Sequence, residues 1–114
     1  MASPGTYNMT HVQGDDWSTE LTVADAGGDP IDMTGYTFLA QARTAPGAAT
    51  VAFTFTVDTT DAATGILVLT VADTVTDDLE PGRYFWDLQW TDGAGAVRTI
   101  LAGIVTVLAE VSRP

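Results

Sequence analysis

The chain has no cysteine and no lysine, a single histidine, and no long uninterrupted apolar run. Without cysteine there is no disulfide and no thiolate metal site, and the redox compartment is left unconstrained. Without lysine, positive charge comes only from arginine: four cationic residues face fifteen acidic ones, a net charge of −11. Such a surface repels phosphate, which disfavours nucleic acid and anionic membranes as partners. The lone His11 has no serine elbow or cysteine to work with, so no nucleophilic constellation is visible. The longest apolar stretch, Ile100–Ala109, is interrupted by Gly103 and Thr106 and is far too short for a membrane helix. Met1–Tyr7 lacks a basic start and an apolar segment, so no secretory signal is read there. The expectation is a soluble, unprocessed protein without cofactor, metal or catalytic residues, and not an enzyme.

What is present is strand grammar. At 114 residues with 46% apolar content, the chain is sized for a single domain with its own core, 1–114. Short tails are expected at 1–6 and 112–114. Tyr84, Trp86, Leu88 and Trp90 recur at every second position between the turns Pro81-Gly82 and Asp92-Gly93. That period is one face of a strand, with Phe85, Asp87 and Gln89 on the other. The same alternation predicts strands over Tyr7–Gln13, Trp17–Asp25, Tyr36–Arg43 and Val51–Val57. Leu67, Leu69 and Val71 form an inward set whose opposite face, Ile66 and Val68, is apolar too. One helical turn fits Ala72–Glu80, with Asp73 as its cap. The last strand spans Val97 to about Val111; Gly103 predicts a bulge, with Val97, Thr99 and Leu101 facing inward before it and Val105 and Val107 after.

Seven strands separated by turns, with no long helix, predict an all-β fold, an antiparallel immunoglobulin-like β-sandwich. Trp17 and Trp86 are expected to fill the space where antibody domains place their disulfide. Asp73, Asp77, Asp78 and Glu80 are the densest acidic group, but their spacing does not match a calcium loop, and charge at a helix start suits the dipole. Asp15 and Asp16, beside Gly14, are read as a turn. The aromatic residues fall mostly in phase with the core rather than on a carbohydrate platform. Phe85 breaks phase. With Ile66, Val68 and Ile104 it is expected to form an outward apolar patch, and such patches mark protein interfaces. The termini, including Tyr7 and Arg113, are further docking candidates.

The order of several segments carries a resemblance. Gln13-Gly14-Asp15-Asp16-Trp17 is followed by Asp29-Pro30-Ile31-Asp32-Met33-Thr34-Gly35-Tyr36, leading to Gln41-Ala42-Arg43. Gly65 and its strand come next, then Pro81-Gly82-Arg83-Tyr84-Phe85-Trp86-Asp87-Leu88. Asp92-Gly93, Val97-Arg98-Thr99-Ile100 and Gly103-Ile104-Val105-Thr106-Val107 complete the series. From about Tyr7 to Val111 this resembles small immunoglobulin-like proteins of tailed bacteriophages, in particular the N-terminal domain of baseplate upper proteins. The resemblance implies a non-enzymatic virion component present in many copies, docking other virion structural proteins in the tail, baseplate or fibre-attachment region. It would be soluble in the host cytoplasm before assembly. Larger members carry a C-terminal extension that this chain lacks. Capsid decoration and a carbohydrate- or calcium-binding module are the alternatives.

Overall fold

In the computed structural model, which describes residues 5–111, the alternating segments form strands. They are β1 (Gly5–Thr6), β2 (Met9–Val12), β3 (Trp17–Thr22), β4 (Thr37–Arg43), β5 (Phe53–Asp58), β6 (Ile66–Val71), β7 (Gly82–Thr91) and β8 (Val97–Leu108). The only helical pieces among the described residues are a 3-10 turn at Ala62–Thr64 and the short helix α1 (Asp73–Thr76). The strands bond in the order β1-β8-β7-β4-β5-β6-β3, with β2 also on β8. The fold is all-β, as the alternation requires.

The sheet curls because β5 divides its pairing. Its first half, Phe53–Phe55, bonds to Ala40–Ala42 of β4, whereas Thr56–Asp58 bond to Val68–Thr70 of β6. One strand therefore belongs to both arms of the sheet, and the inner faces of the arms close on a common core. β3 and β6 supply Trp17, Leu21, Leu67, Leu69 and Val71 to it; β7 and β8 supply Tyr84, Trp86, Leu88, Val105 and Val107. Ala40 and Ala42 of β4, both fully buried, lie between larger neighbours. Ala42 is flanked by Phe53 and Trp86, and Ala40 by Phe55 and Leu88. Small side chains in the central strand make room for the rings on either side.

The sheet is mixed, not wholly antiparallel as expected. β1 and β2 both run parallel to β8. A parallel neighbour needs a long connection, and here nearly the whole chain supplies it. The expected 1–6 tail is accordingly shorter, since Gly5 and Thr6 already pair with Leu101 and Ala102. The expected 112–114 tail lies outside the described residues.

Two further expectations are corrected. The irregularity in β8 is not at Gly103: Leu88 pairs with Leu101 and Gln89 with Thr99, leaving Ile100 as the extra residue. Thr99 and Leu101 therefore do not share a face, and Leu101, Gly103, Val105 and Val107 form one phase. Asp73 does not cap α1 either. The Ncap is Ala72, and the Asp73 N–H is donated to the Asp16 carboxylate at 2.8 Å. Beside that bond, the fully buried Thr76 donates its hydroxyl to the Asp15 carbonyl at 2.6 Å. Gln13 donates to the Leu79 carbonyl at 2.8 Å. The Gly14-Asp15-Asp16 turn is thus a latch that ties β2–β3 to the segment after β6. Met33, 1% exposed, is a core residue that the irregular connector 31–35 concealed. No helix among the described residues is long and apolar enough to cross a membrane.

Candidate functional site

The outer face of β4, β7 and β8 carries the most organised surface feature. Cross-strand partners project to the same side of a sheet, so the pairing register states which side chains share it. One row reads Thr6, Ala102, Asp87, Gln41 across β1, β8, β7 and β4. The next reads Ile104, Phe85, Arg43, and beyond Asp87 in the other direction Gln89 stands opposite Leu39. Together they floor a groove of about 610 Å³, bounded by Thr6 and Asn8 at one side and Pro46 at the other.

Phe85 and Ile104 are adjacent on this face, as expected, with Phe85 38% exposed and Leu39 45% exposed nearby. Ile66 and Val68 are not part of the same patch. They sit on β6 opposite Thr22 and Glu20 of β3, on the outer side of the other arm. Alternation told that each points outward but not that two separate outsides exist. Tyr7 is 37% exposed, yet its ring stands edge-on to Trp86 at 6.4 Å and its carbonyl accepts the Trp86 indole N–H at 2.8 Å. Arg113 lies outside the described residues.

Polar groups in the groove are few and placed by the strands. Arg43 donates Nη1 to the carbonyls of Ala48 and Ala49, both at 3.0 Å, and Nη2 reaches Gln41 Oε1 at 3.4 Å. Its guanidinium is thereby used to hold the 44–50 turn. Asp87, in the middle row, is half-buried between Ala102 and Gln41. Burial pushes its carboxyl above the ordinary value, and the nearby Arg43 charge only partly offsets this. Among the described residues its carboxylate has no hydrogen bond or ion-pair contact. Sequence reading missed Asp87: an acidic residue on the outward side of a strand is ordinary until its neighbours are known.

The other candidates have structural duties. His11 stacks on Trp17, centroids 4.8 Å apart and planes 13° from parallel, with Nε2 3.3 Å from the Thr19 hydroxyl. Burial lowers its pKa, and Asp15 pulls the other way. Trp17 and Trp86 do not touch as a pair; Phe53 and Phe55 join them through successive edge-to-face contacts at 5.4, 5.3 and 5.6 Å. Asp73, Asp77, Asp78 and Glu80 do not converge: no group of three or more His, Cys, Asp or Glu among the described residues is placed to hold a metal ion.

No family model matches the chain, and no curated protein matches it in sequence. Among solved structures it is similar to an internalin-like protein of Listeria monocytogenes, with TM-score 0.50 and 21% identity over 92% of this chain and 29% of that one. It is also similar to a mutant of the SrpA adhesin from Streptococcus sanguinis, with TM-score 0.52 and 10% identity over 90% of this chain and 55% of that one. A looser match, TM-score 0.44 at 14% identity, is a family 123 glycoside hydrolase from Clostridium perfringens, over 96% of this chain and 24% of that one. At these identities the first two show a shared fold, and the chain spans only part of each.

Proposed function

We propose that the chain is a non-enzymatic structural component of a tailed-phage virion. It acts as an adaptor that docks other virion proteins in the tail, baseplate or fibre-attachment region, in multiple copies. Two things support the family reading. The segment order from Gln13 to Val107 resembles immunoglobulin-like phage proteins, and Tyr84 donates its hydroxyl to the Glu80 carbonyl four residues upstream at 2.6 Å. That bond matches the tyrosine corner of immunoglobulin-like sandwiches, in which a cysteine follows two residues later in antibody domains. Trp86 occupies that position here. On this reading the curled sheet is a sandwich whose β7–β8 arm bears the docking face.

The observation that carries the proposal is the outward Phe85–Ile104 pair, Phe85 exposed and Ile104 half-buried, on a ten-residue strand next to a twelve-residue one. An aromatic anchor on a stiff sheet loses little conformational freedom on binding, which is how interface hot spots work. Phe85→Asp should fold with an unchanged circular dichroism spectrum yet be depleted from assembled particles. Particles carrying the variant at full occupancy would refute the docking role of this face.

A further inference from the structure

Resting on that docking reading, we propose that the groove over β4, β7 and β8 receives a partner-protein segment carrying a basic side chain, lysine or arginine, that pairs with Asp87. The groove supplies each part of such a site. Asp87 sits in the centre of its floor, in the row Thr6, Ala102, Asp87, Gln41. Ala102 beside it contributes only a methyl group, which leaves space over the carboxylate. Phe85 and Ile104 on one side and Leu39 on the other give apolar walls for the stem of a long cationic side chain.

Charge complementarity decides the occupant. A half-buried carboxylate has lost part of its hydration without gaining a donor, and a cation restores it by a charge-assisted hydrogen bond. Arg43 acts on Asp87 only as a nearby charge: its Nη1 and Nη2 are held by Ala48, Ala49 and Gln41, and it makes no hydrogen bond or ion-pair contact with the carboxylate. The protein's charge of −11 also draws a cationic segment in from a distance and repels an acidic one. A neutral sugar can offer the carboxylate a hydroxyl hydrogen but brings no opposite charge and is not drawn in by the net charge.

The test uses the full 114-residue chain and short synthetic peptides, Thr-Val-X-Val-Thr with X as Lys, Gln or Glu, titrated while backbone amide NMR shifts are followed. The Lys peptide should shift amides of Gln41, Asp87 and Ala102 and bind about tenfold tighter than the Glu peptide, a difference of the size a charge-assisted bond provides. Asp87→Asn should erase that preference while folding at least as stably, since it removes a poorly solvated charge. Equal binding of the Lys and Glu peptides, a preference that survives Asp87→Asn, or neutral oligosaccharides shifting the same amides in place of peptide would overturn the inference. Particle incorporation separates it from its premise. If Phe85→Asp is excluded and Asp87→Asn is incorporated normally, docking stands and the cationic occupant falls; if both are incorporated, docking itself falls.

Discussion

Trp86 shows how one side chain joins the core to the N-terminus. Its ring is 3% exposed and meets Phe55 edge-on at 5.6 Å, with the small Ala42 beside it in β4. Its indole N–H is satisfied by the Tyr7 carbonyl, so the polar end of a buried ring also fixes the first strand. Truncation removes both contributions and leaves a cavity that Ala42 is too small to fill. Trp86→Ala should therefore cost about 3–5 kcal/mol in chemical denaturation. A variant with unchanged denaturation midpoint would show that the ring is not part of the core. Phe85, one residue earlier, is its control: exposed by the strand's alternation, it should tolerate change without comparable loss.

At the scale of elements, β1 and β2 are one strand interrupted at Tyr7 and Asn8. Gly5 pairs with Leu101, Thr6 with Ala102 and Met9 with Val105, so the register along β8 never shifts across the gap. Within the interruption the Asn8 side-chain oxygen accepts the Ile104 N–H at 3.0 Å, taking the part of a backbone carbonyl. Gly103 permits this. A Cβ there would lie 2.1 Å from the Tyr7 carbonyl oxygen and 2.8 Å from Asn8 Oδ1. Because the first obstacle is backbone, Gly103→Ala should cost about 1–3 kcal/mol or more and loosen the N-terminal strand. Faster amide exchange at Met9–Val12 is the expected readout, and protection equal to wild type would count against the close approach. The glycine was legible as exceptional, but its reason was not: the partner backbone is about a hundred residues away in sequence, and no local pattern encodes a parallel neighbour. What was legible followed from burial on one side only. Phe53 and Phe55, Leu67 and Leu69, or Tyr84, Trp86 and Leu88 alternate because each strand has one dry face. The extra residue at Ile100 escaped notice because Ile100 and Leu101 are both apolar, so either phase reads as inward. The groove was half legible. Phe85 announced itself by breaking phase and Ile104 was grouped with it as outward, whereas Asp87 acquires meaning only from Gln41 and Ala102 on strands that the chain reaches much earlier and later.

For the molecule as a whole, charge governs how stability responds to solution conditions. Fifteen acidic residues repel one another at neutral pH, so comparisons across pH must be made at fixed ionic strength. The carboxylates contribute at the acid end with opposite signs. Asp32 and Asp58, held below their ordinary value by hydrogen bonds from Thr34 and Thr60, stabilise the fold once ionised and lose this as pH falls. Asp87, raised by burial, favours the fold when protonated and loses this as pH rises from the ordinary 3.8. Nearer neutrality the chain has one histidine, His11, packed between Trp17 and Thr19 with Asp15 close enough to attract its charged form. Burial outweighs that attraction and lowers its pKa from 6.5, so the unfolded chain takes up the proton more readily than the folded one. Stability therefore rises with pH through this range: the contribution is complete above 6.5 and is lost as pH falls toward the lowered folded value. The melting temperature should be higher at about pH 7.5 than at about pH 5.5, where histidine changes charge. In His11→Gln this difference should shrink, because glutamine carries no titrating proton. An undiminished rise in the variant would show that His11 does not carry it; repulsion within the acidic surface grows with pH and acts against such a rise, as does the buried Asp87, for which Asp87→Asn is the control.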